Sequence, residues 1–83
     1  MMSRKQVLEK VRGDQLAQYD EFIRGHVFME LDRFEGRVRF DVLTSRISRI
    51  PNAVYRDWLR QADKRGEIIF CRVDGIEWIS RVN

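Results

Sequence analysis

The chain has 83 residues, is 43% hydrophobic and 35% charged, and carries a formal net charge of +3. A single domain of this size buries only about 60% of its unfolded surface, so its core is small. The composition is too apolar for a disordered tail and too charged for a membrane protein. No apolar run approaches the roughly 18 residues that span a bilayer.

Residues 1–10 lack the apolar segment of a secretory signal. The one cysteine, Cys71, has no intrachain partner for a disulfide, which fits a reducing compartment. Together these features predict a cytoplasmic protein.

The charge is unevenly placed. Residues 1–35 hold six basic and seven acidic groups, a net of −1, whereas residues 36–83 hold ten basic and six acidic groups, a net of +4. Nine of those ten are arginines, the exception being Lys64. Arginine suits bidentate contact with phosphate and guanine, so the C-terminal half is where a polyanion-binding surface is expected.

In chain order, Ser3-Arg4-Lys5-Gln6 has the spacing of a capping box. Val7, Leu8 and Val11 follow on one helical face, and Gly13 is expected to end this short helix, with Asp14 capping the next. From Asp14 to Phe34 the pattern is helical, with Leu16, Tyr19, Ile23, Val27, Leu31 and Phe34 recurring at steps of three and four. Phe22, Phe28 and Met29 fall outside that stripe, so the helix is apolar on more than one face. Gly25 interrupts it at a cost of about 1 kcal/mol relative to alanine, which implies either a bend or a close neighbour.

Glu35-Gly36 closes the helix, and Gly36 to Phe40 alternates as a short strand does. Asp41 is expected to cap a second short helix, Val42 to Ile47. Pro51 is expected at the first position of a third, running through Arg65 and stopped by Gly66. The inward face of this third helix is Tyr55, Leu59 and Ala62, with Trp58 beside them. Two strand-like runs follow, Glu67–Val73 and Ile76–Val82, joined by Asp74-Gly75, a strong hairpin-turn signal. A two-residue turn sets Val73 opposite Ile76, Arg72 opposite Glu77, Cys71 opposite Trp78 and Phe70 opposite Ile79. Arg72–Glu77 would then be a cross-strand ion pair.

This order of elements resembles the winged helix-turn-helix superfamily over about Asp14 to Val82. The local match is best in Ile50-Pro51-Asn52-Ala53-Val54-Tyr55-Arg56-Asp57-Trp58-Leu59-Arg60, followed by Lys64-Arg65-Gly66-Glu67-Ile68. It is similar to the pattern in which a hydrophobic-Pro turn opens the recognition helix and a basic-Gly-x-aliphatic run leads into the wing. Asp41 to Ile47 sits where the first helix of the helix-turn-helix belongs. The chain departs from the pattern in three ways: Ser48-Arg49 stands where a glycine is frequent, the wing is very short, and the N-terminal helix is an addition. The resemblance implies an α+β fold: a three-helix core with a short strand and a two-stranded C-terminal wing, over residues 14–83. Residues 1–13 would be a helical extension.

The resemblance further implies a sequence-specific protein for double-stranded DNA, a small transcriptional regulator, with helix 51–65 in the major groove. Asn52, Ala53, Arg56 and Asp57 would touch base edges, with Arg60 and Lys64 further along. Thr44, Ser45, Arg46 and Arg49 would approach phosphates. Arg72 and Arg81 on the wing are candidates for phosphate contact, weighed against the Arg72–Glu77 ion pair; for Arg37 and Arg39 a solvated face is the simpler reading. The alternative function is a winged-helix module that docks a protein rather than DNA.

The apolar excess of the long helix predicts a homodimer through Val7, Leu8, Val11, Phe22, Phe28 and Met29, unless the first helix folds back to cover them. His26 is read as packed or solvated, and Cys71, facing Trp78, as buried and inert. One His and one Cys make no Cys/His zinc site within one chain. No nucleophile motif, Gly-rich phosphate loop or paired-carboxylate spacing is present. Catalysis, a cofactor and a small-molecule ligand are therefore not expected.

Overall fold

The computed structural model describes residues 4–45, 47 and 49–82, with the backbone alone for residues 4–16. The elements are α1 (Arg4–Arg33), β1 (Arg37–Arg39), α2 (Phe40–Thr44), α3 (Asn52–Lys64), β2 (Ile68–Val73) and β3 (Ile76–Arg81). Three helices lie with a three-stranded antiparallel sheet of order β1-β3-β2, an α+β arrangement. The molecule measures 48 × 23 × 23 Å. Its long axis is set by α1, whose 30 residues at 1.5 Å each make a rod of about 45 Å.

α1 is continuous through Gly13, so the expected end of a short first helix there does not occur. A glycine costs a helix about 1 kcal/mol, which neighbouring helix formers readily offset. The helix also runs on through Gly25. Ser3 of the expected capping box lies outside the described residues, as do Arg46 and the side chains of Val7, Leu8, Val11 and Leu16.

Both long helices close in the same manner. At α1 the Gly36 N–H donates to Leu31 O at 2.6 Å and Glu35 N–H to Asp32 O at 3.4 Å. At α3 the Glu67 N–H donates to Ala62 O at 3.0 Å and Gly66 N–H to Asp63 O at 2.9 Å. These are Schellman closures, which place one residue in the left-handed region. At α3 that residue is Gly66 (φ 77°); at α1 it is Glu35 (φ 61°).

The second helix differs from expectation at both ends. It spans Phe40–Thr44 rather than 42–47, and Arg39, not Asp41, holds the cap position, without a side-chain cap bond. Asp41 lies in the first turn, where its Oδ1 accepts from Val42 N–H at 2.9 Å. Phe40, expected in the strand, instead starts α2 with its ring buried. Pro51 is the residue before α3, not its first, and its carbonyl accepts from the N–H groups of Val54 and Tyr55.

The hairpin has the expected register in all four pairs, around Asp74 (φ 52°) and Gly75 (φ 78°). Positive φ at both turn residues is the twist-matched two-residue connection. β1 adds to the other side of β3, with Val38 opposite Ile79.

Alternation then assigns the faces. Val38, Ile68, Phe70 and Ile79 point toward the helices; Ile69, Cys71, Val73, Ile76 and Trp78 point away. The core joins Ile23, Val27 and Leu31 of α1 to Tyr55, Trp58, Leu59 and Ala62 of α3 and to Leu43, Ile68 and Ile79. Phe34, expected in the buried stripe, is exposed in the turn after α1.

Candidate nucleic-acid interface

α3 divides cleanly into two faces. Val54, Tyr55, Trp58, Leu59 and Ala62 are buried against α1 and the sheet, as their spacing predicts. Asn52, Ala53, Arg60 and Lys64 are exposed, and Asp57 is half-buried. Two polar contacts tie the buried face to α1: Trp58 Nε1 donates to Asp20 Oδ1 at 2.8 Å, and the Tyr55 hydroxyl meets His26 Nδ1 at 2.6 Å. The His26 ring also lies 3.7 Å from the buried carboxylate of Glu30. His26 is therefore a packed residue that joins two helices. Burial raises the Tyr55 hydroxyl pKa well above its ordinary value, and the Glu30 charge adds to the shift.

Arg56, expected to read a base, is half-buried and engaged by contacts within the fold. Its guanidinium donates to the Glu77 carboxylate, with Nη2 to Oε1 at 2.9 Å and Nε to Oε2 at 3.2 Å. Its Cζ also sits 4.5 Å from the centre of the Phe40 ring. One side chain thus links α3, β3 and α2. The hydrogen bond from Arg56 holds the Glu77 carboxyl below its usual range; burial opposes this, and the charges of Arg56, Arg72 and Arg60 reinforce it. The expected Arg72–Glu77 ion pair is replaced by Arg56–Glu77. The register is as expected, but Glu77 lies on the inner face of the sheet, where α3 offers a nearer cation.

Other expected contacts are also engaged. The Thr44 hydroxyl donates to Phe40 O at 2.9 Å and that of Ser45 to Val42 O at 2.8 Å, so neither presents its proton outward. Arg39 makes a two-pronged pair with Asp41 at 2.9 and 3.0 Å, and Arg81 pairs with Asp32. Arg37 lies over Trp78 with Cζ 4.0 Å from the ring centre. Arg65 and Arg24 share Glu67, whose carboxyl pKa they lower. Four of the ten basic side chains of residues 36–83, namely Arg39, Arg56, Arg65 and Arg81, are thus paired with carboxylates within the fold.

Among the described residues around α3 and the hairpin, the cations left exposed are Arg49, just before α3, Arg60 and Lys64 on the outer face of that helix, and Arg72 on the hairpin. Arg60 is 61% exposed and reaches Asp57 only at 3.6 Å. Arg60 and Arg72 line one groove of about 220 Å³ together with Glu77. A second cleft of about 320 Å³ lies between the start of α3, α2 and the hairpin tip, bordered by Asn52, Thr44, Arg56 and Gly75.

Sequence reasoning missed Phe40 and Glu77 as the pair that positions Arg56. The signal was present: Phe70 and Ile79 face inward, so by alternation Arg72 and Glu77 do too.

Two further corrections concern the other surfaces. Cys71 is exposed rather than buried, because it sits on the outer face of the sheet. Phe28 packs partly against the core, whereas Phe22 and Met29 remain 56% and 58% exposed. Among the described residues no helix is long and apolar enough to cross a membrane, and no group of three or more His, Cys, Asp or Glu side chains is placed to hold a metal ion. Comparison with protein-family models, curated proteins and solved structures finds no match to this chain.

Proposed function

We propose that the protein is a winged helix-turn-helix module that binds double-stranded DNA, with the outer face of α3 in the major groove and the hairpin beside it. The element order and the β1-β3-β2 sheet support the winged-helix reading. The observation that carries the function is the α3–hairpin junction. There Arg60 and Arg72 share one groove, and Asn52, Ala53 and Lys64 of the same helix are exposed.

In this arrangement Arg60, Arg72, Lys64 and Arg49 contact phosphate, and Asn52 is the residue of the first turn with the donor–acceptor pair that adenine recognises. Arg56 positions the hairpin against the helix and does not itself read a base. The role that this proposal assigns to such binding is that of a small transcriptional regulator.

The test is affinity for a duplex as salt is raised. Phosphate contact gives a log–log slope near −0.9 per phosphate neutralised. Arg60→Ala and Arg72→Ala each reduce that slope by about one while leaving the fold intact. A flat salt response, or unchanged slopes in both variants, removes the proposal.

One observation favours the alternative of a protein-docking module. Ile69 and Val73 on the outer sheet face are each 45% exposed, with Cys71 exposed between them, and an apolar solvent face is unusual for an antiparallel sheet. A flat salt response would direct attention there.

A further inference from the structure

Among the described residues, nothing in the fold of one chain accounts for Gly25. It lies in the middle of α1, where glycine is the costliest residue short of proline. Its φ is not positive, and a Cβ built on it meets nothing within 4 Å. The helix needs neither a turn nor close packing there from the rest of its own fold. On the same side of the helix, Phe22 stands three residues before it and Met29 four residues after, 56% and 58% exposed. Gln18, one turn before Phe22, is exposed as well. Ile23, Val27 and Leu31, on the other side, are fully buried. The face turned away from the core is thus a ridge, a notch and a second ridge.

We infer that this face binds α1 of a second copy of the same chain, the two helices running antiparallel and crossing at Gly25. The choice of occupant follows from the spacing. Phe22 and Met29 lie almost evenly about position 25, so a two-fold axis at the crossing sets Phe22 beside Met29 of the partner subunit, and Met29 beside the partner's Phe22. That is one sulfur–aromatic contact made twice. Absence of a Cβ at the crossing lets the two backbones approach closely. The same geometry brings Gln18 level with Arg33 of the partner subunit. Gln18 offers an amide carbonyl, and Arg33 makes no ion pair among the described residues. At the shallow crossing of about 20° usual for paired helices, contact extends over about two turns on either side, as far as the end of α1 at Arg33. The inference stands independently of any nucleic acid bound at α3.

Sedimentation over a range of concentrations tests it. The expected species is twice the 10.0 kDa of one chain, dissociating on dilution. A mass of one chain at every concentration overturns the proposal. Gly25→Ala separates the two possible roles of the glycine. Alanine is the better helix former and its Cβ has room, so the folding equilibrium constant of the dilute chain rises about fivefold. The dimer dissociation constant rises tenfold or more, because two methyl groups now meet at the crossing. Unchanged or tighter association in Gly25→Ala overturns the crossing at this residue.

Orientation is read from cysteines placed in a Cys71→Ser background. On oxidation, Gly25→Cys is expected to cross-link to itself, and Phe22→Cys to cross-link with Met29→Cys but not with itself. Self-linkage of Phe22→Cys would overturn the antiparallel arrangement.

Discussion

α1 and α3 are built from similar materials and end in the same hydrogen-bonded closure, yet they stand differently in the molecule. α3 is 13 residues long and hides its large apolar side chains; what remains outside is polar apart from Ala53. α1 is 30 residues long, hides Ile23, Val27 and Leu31, and leaves Phe22 and Met29 outside. α3 closes with a glycine in the left-handed position, α1 with a glutamate. The shorter helix is satisfied by its own fold. The longer one carries apolar surface that the described residues leave more than half exposed, which is the expected mark of an interface. A small domain has too few layers to bury both sides of a rod about 45 Å long.

The largest effect that follows separates the two helices by the same kind of truncation. Trp58→Ala removes a fully packed ring and its bond to Asp20, and is expected to cost about 3–5 kcal/mol. Phe22→Ala and Met29→Ala, at positions more than half exposed, are expected to stay within about 0.5 kcal/mol in the dilute chain. Urea midpoints measured at low concentration check both. A Phe22→Ala loss comparable to that of Trp58→Ala would mean that α1 is covered within one chain, and the contrast would fall.

Much of this contrast could be read from the sequence, in places where neighbours along the chain decide the structure. The buried face of α3 followed from the three-and-four spacing of Tyr55, Trp58, Leu59 and Ala62, and the hairpin register from Asp74-Gly75 alone. The exposure of Phe22 and Met29 followed from their position outside the stripe of Ile23, Val27 and Leu31. What local patterns hid was tertiary. Gly13 and Asp41 carry strong local signals for a stop and a cap, but context overrode both by amounts of about 1 kcal/mol. Arg56 and Glu77 are 21 positions apart, and only the placement of the sheet against α3 brings them together. Cys71 was assigned to the right neighbour and the wrong environment, because pairing says nothing about whether a sheet face is covered.

Effects of about 1 kcal/mol sharpen the comparison. Arg56→Ala removes an ion pair and a ring contact, each worth up to about 1 kcal/mol in partly exposed positions. Arg60→Ala, on the open side of the same helix, should leave thermal stability within about 0.5 kcal/mol. In a duplex-binding assay the order reverses if α3 carries the interface: Arg60→Ala weakens binding directly, Arg56→Ala through the hairpin it anchors. The helix closures provide a mirrored pair. Gly66→Ala forces a Cβ into the left-handed region and should cost about 1 kcal/mol, whereas Glu35→Gly relieves such strain and should gain about 0.5–1 kcal/mol. Loss of stability in Glu35→Gly would show that the glutamate side chain has a role that offsets its backbone.

The smallest effects are in the pH dependence, and they too distinguish the helices. Glu77 and Glu67 both have carboxyl pKa values held below the ordinary range, Glu77 by its hydrogen bonds from Arg56 and Glu67 by those from Arg24 and Arg65. A depressed folded-state pKa contributes stability that is present above the unfolded value, about 4.3, and is lost as pH falls below it. Tyr55 is the opposite case. Its raised pKa contributes stability that is complete below about pH 10 and is lost as pH rises beyond it. The thermal midpoint should therefore fall at both ends of the range. Glu77→Gln should flatten part of the acid limb by removing a contact that α3 makes with the sheet. Glu67→Gln should flatten another part by loosening a bridge between α1 and the end of α3. Tyr55→Phe should flatten the alkaline limb and leave the acid one unchanged. If Glu67→Gln left the acid limb as steep as before, the bridge from Arg24 would contribute nothing, and the two helices would be joined by their apolar faces, by Trp58 with Asp20, and by Tyr55 with His26.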